Sequence, residues 1–368
     1  MRSGAQLPGG RAALFALNLA LAATLHGLAP DEPVRSDRQE YDEVGRAPFA
    51  RGCIWTIYCY RPLAPLLVRA LPVHGDTGWR VYQVTANAAA GTILAGLTGA
   101  PAMASVIIQT SYGFAFTAYD PYAAEPLVFV FAALLVWCWI RDRLAMAIAL
   151  AAIGIFAKET VALIAGVLAI AALIEREPFD VAQGKPGRMR WLAPVAVSGM
   201  LLLAFHAISR AWLGWQIQSN PAAQLEHGSW IGLWFRNNPS HIHKLYMLFS
   251  TFGFVWLFAA LGWRMAAQQW RVLTLALIAP MLFLMVIQTP ERALGNAFFV
   301  VAPLAAVYAA RDPMAGWAAV ILNALITAKA GTSSAFLPSA RWTLLPAAIA
   351  AMLLVARITS ERGRVPRS

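Results

Sequence analysis

Apolar runs of about 15–20 residues, parted by short charged stretches, constrain this chain more than anything else in it, because that is about the length a helix needs to cross a hydrocarbon core roughly 30 Å thick. Of its 368 residues 59% are hydrophobic and 13% are charged, with a mean hydropathy of +0.58. A soluble chain carries about a quarter charged residues. The period-two alternation of an outer-membrane barrel is absent. The pattern predicts an all-α, polytopic transmembrane helical bundle forming one integral membrane domain over residues 1–368. The net charge of +11 then reads as arginines holding loops on the cytoplasmic side, with no nucleic-acid partner required.

Residues 12–29 form the first span, an uncleaved signal anchor rather than a cleaved leader given the spans that follow. Residues 30–80 form a first outer loop. Within it, 53–72 is apolar but carries Arg61, Pro62 and Pro65. Proline in a helix interior costs about 3 kcal/mol, and mid-membrane arginine costs about 2.5 kcal/mol or more. The segment is therefore expected as an amphipathic helix at the interface, or re-entering the membrane. Parity agrees. Spans then fall at about 81–98, 102–118, 123–140, 144–157, 160–174, 191–209, 245–263, 272–288, 294–310, 314–328 and 342–356, which makes about twelve in a range of ten to thirteen.

From a cytoplasmic N-terminus this order puts Arg141, Arg143, Arg188, Arg190, Arg264, Arg271 and the basic tail 358–368 inside. That is the positive-inside pattern, and counting 53–72 as a span inverts it. Residues 144–174 as one helix would be about 46 Å long at 1.5 Å per residue. A hairpin with Lys158 and Glu159 at a recessed outer tip removes that conflict. Cys53, Cys59 and Cys138 are too few for a disulfide framework, and spacing alone leaves a Cys53–Cys59 bridge open.

The outer face then gathers the candidates for chemistry. Asp42 and Glu43 lie in the densest acidic cluster, where a solvated loop is the plain alternative to an aqueous cavity. Asp120 stands between two spans, where capping a helix is the plain alternative. Lys158, Glu159, Arg210 and Arg292 complete the set, although Arg292 could merely snorkel. His241 and His243 make a weak metal pair without a third ligand.

Five short stretches, YDEVGRAPF (41–49), YRPLAPLL (60–67), AYDPYAAEPL (118–127), AKET (157–160) and TPERALGNAFFVVAPLA (289–305), together resemble the GT-C superfamily of polytopic glycosyltransferases. That superfamily includes the protein O-mannosyltransferase and aminoarabinose-transferase relatives. The resemblance implies an inverting glycosyltransferase that takes a sugar from a polyprenyl-phosphate donor on the extracytoplasmic face of a bacterial inner membrane. The acceptor would be a glycan, lipid or protein. It implies Asp42 as general base, with Glu43 and Asp120 orienting the acceptor or, through Asp42 and Asp120, holding a divalent cation. Lys158, Arg292 and Arg210 would bind the phosphate, with Glu159 positioning Lys158. No cofactor beyond that cation is implied, and membrane lipids surround the whole. The chain departs from the family in its crowded first loop and in lacking a large C-terminal extracytoplasmic domain. A transporter or flippase and a non-catalytic envelope protein remain the competing expectations.

Overall fold

The computed structural model describes residues 10–28, 37–53, 56–175, 188–215, 251–253, 255–287, 295–314, 316–317 and 320–321. The expected span 342–356, most of 314–328, the basic tail, His241, His243 and Arg292 lie outside the described residues.

Every regular element among the described residues is helical. In chain order they are α1 (Gly10–Leu28), α2 (Arg38–Arg46), α3 (Thr56–Cys59), α4 (Leu63–Ala70), α5 (Gly75–Ala95), α6 (Pro101–Gln109), α7 (Tyr112–Tyr119), α8 (Glu125–Ile140), α9 (Leu144–Gly154), α10 (Thr160–Ile174), α11 (Leu192–Leu213), α12 (Val255–Gly262), α13 (Gln268–Ile287) and α14 (Phe298–Ala309). Two helical stretches, Gly10–Leu28 and Met189–Leu213, are long and apolar enough to cross a membrane; α8, α9, α10 and α14 are shorter apolar helices.

Helix α8 occupies the centre. It is apolar around its whole circumference, which suits a helix covered on all sides, and Leu135, Val136, Cys138 and Trp139 are sealed inside. It packs on α5, α9 and α10. At one end of the bundle the turn at 141–143 meets the short helical turn Arg188–Trp191: Arg190 pairs with Asp142, and Trp191 Nε1 donates to Asp142 Oδ1 at 3.4 Å. The two stretches expected on one side of the membrane thus touch. At the other end lie α2, α3, α4 and the turn 155–159.

Three expectations change in detail. The acidic cluster is a helix, α2, and not a loop. The segment 53–72 is two short helices, α3 and α4, parted at Tyr60–Pro62, because Pro62 cannot continue α3. The run 102–118 is broken at Thr110 and Ser111 into α6 and α7. The hairpin over 144–174 forms, closing where a Cβ on Gly154 would stand 2.5 Å from Val161 Cγ1.

Candidate functional site

The end of the bundle that carries α2 is built on long-range polar contacts. Arg61, freed at the α3–α4 break, donates to both oxygens of Glu159: Nε to Oε2 at 3.1 Å and a terminal nitrogen to Oε1 at 2.5 Å. Its side chain is 11% exposed, that of Glu159 48%. One residue before Glu159, the buried Lys158 Nζ meets Glu125 Oε1 at 2.5 Å. Two cations and two carboxylates, from three separate stretches of chain, thus share one neighbourhood. The backbone holds them in place, with Leu63 N donating to Phe156 O at 3.1 Å.

Burial and charge compete at these groups. Burial alone would push the Glu159 carboxyl up, but the Arg61 guanidinium and Lys158 hold it below the ordinary carboxylate value. Burial would lower Arg61, but the Glu159 carboxylate raises it instead. The Tyr41 hydroxyl sits fully buried beside Arg61 and in the field of Glu125, and burial drives its pKa up. It is a neutral phenol facing an ion-pair cluster.

Asp42 lies on α2, one position along from Tyr41. It accepts from Trp79 Nε1 at 3.3 Å and faces Arg38 Nε at 3.6 Å. Arg38 also reaches Asp76 at 2.9 Å and lies over the Tyr122 ring, 5.4 Å from its centre. Tyr122 donates to Asp76. Tyr41, Tyr58, Trp79, Tyr82 and Tyr122 form a continuous aromatic wall around these charges, with ring centres 5.0–5.7 Å apart. Glu43 points elsewhere on α2, with Gln39 Nε2 at 3.4 Å.

Asp120 closes α7 at its C-terminus rather than capping α8, whose N-cap is Ala124. It is 6% exposed. Arg210, exposed in the last turn of α11, acts on Tyr60, which stacks on His206 at 4.0 Å. Cys53 and Cys59 are joined in a disulfide. Their loop is stapled to the end of α11 by Gly52 N to Leu213 O and Trp215 Nε1 to Ala50 O, both 2.7 Å. The bridge ends immediately before Tyr60 and Arg61, so it limits where Arg61 can stand.

A cavity opens beside the Lys158–Glu125 pair. It is small, and its lining mixes Lys158, Glu125, Thr160 and Asn296 with the rings of Tyr112, Phe116 and Phe129. Among the described residues no group of three or more His, Cys, Asp or Glu could hold a metal ion. The structure therefore gives Lys158 and Glu159 separate partners and sets Asp42 on the same end, all three among partners that sequence reading undervalued. Arg61, Glu125, Tyr41, Trp79 and Arg38 are those partners. Arg61 had a signal, since an arginine inside an apolar run is costly unless paired.

No protein-family model, no curated protein and no solved structure matches the chain.

Proposed function

We propose that the chain is an integral membrane glycosyltransferase of the inverting type, moving a sugar from a polyprenyl-phosphate donor to an extracytoplasmic acceptor. The observation that carries the reading is the convergence of Arg61 and Lys158 at one end of the bundle, each backed by its own carboxylate. A lipid phosphate needs cations of this kind for its oxygens.

In the reaction a carboxylate removes the proton of the acceptor hydroxyl. The hydroxyl oxygen bonds to the anomeric carbon as the bond to the phosphate oxygen breaks, and the phosphate leaves with the electron pair. Asp42 is the base on this reading, oriented by Trp79 and Arg38. Lys158 and Arg61 stabilise the charge developing on the phosphate. As the family resemblance implies, Glu43 and Asp120 position the acceptor, and Arg210 and Arg292 contribute further positive charge.

The placement belongs to the same proposal: about twelve spans, both termini cytoplasmic, the site outside in a bacterial inner membrane. The Cys53–Cys59 disulfide supports it, since such bonds persist in oxidising compartments. The test is turnover of polyprenyl-phosphate sugars by purified protein. Wild type should release polyprenyl phosphate, and Asp42→Asn should reduce release by at least a hundredfold. Equal release by both moves the base to another carboxylate. No release from any donor by folded protein overturns the transferase reading.

A further inference from the structure

The four charges that meet at the charged end differ in their access to solvent. The side chains of Lys158, Arg61 and Glu125 are 9%, 11% and 17% exposed, whereas that of Glu159 is 48% exposed. Both cations therefore lie inside. Of the two carboxylates, Glu159 is the one that faces outward.

The partners also differ in what holds them. Arg61 N donates to Tyr58 O at 2.8 Å, Cys59 is tied to Cys53 two residues before it, and Pro62 follows. The Arg61 side chain lies beside the buried Tyr41 hydroxyl. The backbone of the hairpin turn is fixed as well: Ala157 N and Lys158 N donate to Gly154 O at 3.0 and 3.1 Å, and Leu63 N donates to Phe156 O at 3.1 Å. What can still turn is the Glu159 side chain, which is unbranched and has three rotatable bonds.

The energetics point the same way. A half-exposed carboxylate recovers hydration when it leaves, which offsets much of what the pair loses. A guanidinium only 11% exposed recovers little, and leaving it bare is costly. Glu125 does not step in, since it is bound to Lys158. Glu159 can therefore leave Arg61 only as another anion arrives. What that anion must be follows from the donors. Arg61 presents Nε and a terminal nitrogen to two oxygens of one group, and a phosphate takes such a fork as a carboxylate does. The same position feels Lys158, which together with Arg61 holds the Glu159 carboxyl below its ordinary value.

We infer that Glu159 is a resident competitor for the phosphate of a polyprenyl phosphate, occupying the Arg61 fork until that phosphate displaces it and takes over both hydrogen bonds. The carboxylate swings outward on its own side chain, the backbone stays in place, and Arg61 is at no point left bare. A phosphate that gains charge outbids a singly charged carboxylate beside two cations. In the donor the phosphate is a singly charged diester; on leaving it becomes a monoester that carries most of a second charge. It therefore competes best with Glu159 as the sugar departs. The return of Glu159 then helps the product leave.

This inference rests on the proposed function for the phosphate being lipid-borne, and binding rather than turnover tests it, so the two can fail separately. Radiolabelled short-chain polyprenyl phosphate is titrated onto purified full-length protein in detergent, with folding checked by melting. Wild type should bind saturably, and Glu159→Gln should bind at least fivefold tighter. Glu159→Asp is the discriminating variant, because it keeps the charge but loses the reach to Arg61. It should also bind at least threefold tighter. Tighter binding by Glu159→Gln with wild-type affinity in Glu159→Asp reduces Glu159 to a repelling charge and overturns the exchange. Unchanged or weaker binding in both variants overturns it too, while leaving the phosphate role of Arg61 and Lys158 intact. Should Glu159→Gln fail to fold, Glu159→Asp decides alone. Displacement of the lipid by inorganic phosphate at equal concentration overturns the lipid as the natural occupant. No saturable binding by folded wild type removes the phosphate role itself, and the exchange with it.

Discussion

Arg61 clamps both carboxylate oxygens of Glu159 across 98 positions of sequence, at 3.1 and 2.5 Å. The contact ties the outer helices α2–α4 to the hairpin of α9 and α10, and so fixes the geometry of the charged end. A guanidinium does this where an ammonium would not, because its planar fork matches two oxygens at once.

Arg61→Ala should destabilise the protein by about 2 kcal/mol, the worth of a charged hydrogen-bonded pair partly open to solvent. Arg61→Lys should recover less than half of that. Thermal melting in detergent measures both. On the transferase reading both variants also lose turnover, with Lys retaining more.

The same pair sets an acid limit. Arg61 and Lys158 hold the Glu159 carboxyl below its ordinary value against the opposing effect of burial. A depressed carboxyl contributes stability that is fully present above its unfolded value of about 4.3. That contribution is lost as pH falls through the folded value. Melting temperature should be insensitive to Glu159 at neutral pH and decline on acidification, and Glu159→Gln should flatten that decline.

Reduction of Cys53–Cys59 should cost about 2 kcal/mol, as expected for so short a closed loop. The partly exposed Cys53 thiol should then become reactive to a membrane-impermeant maleimide added from the outside, while Cys59 and Cys138, both buried, stay unlabelled. Labelling that appears only from the cytoplasmic side would reverse the proposed orientation.

Gly91→Ala probes the packing of α5 against α1 and α6. The added methyl meets the buried amides of Asn18 and Gln109, which are hydrogen-bonded to each other, and overpacking of this kind costs about 1–3 kcal/mol. Asn18→Ala in the same chain should relieve part of the clash, which a double-mutant cycle on melting temperature would read as positive coupling.

The amino-acid sequence by itself determined the all-helical class, the alternation of apolar segments with charge and the hairpin at Lys158–Glu159, because hydrocarbon-length runs and costly charges leave few arrangements. It also marked 53–72 as no ordinary span, through Arg61, Pro62 and Pro65. What only the tertiary structure decided is partnership. Nothing local says that Arg61 pairs with Glu159, that Lys158 pairs with Glu125 and not with its chain neighbour, or that Asp42 is held by Trp79. Those contacts join residues 33–98 positions apart, and helix packing, not local pattern, brings them within hydrogen-bonding range. The break at Thr110–Ser111 was hidden for a related reason. An apolar run reads as continuous until a neighbouring backbone, here Thr251 O accepting from Tyr112 N at 3.3 Å, offers its amide another partner.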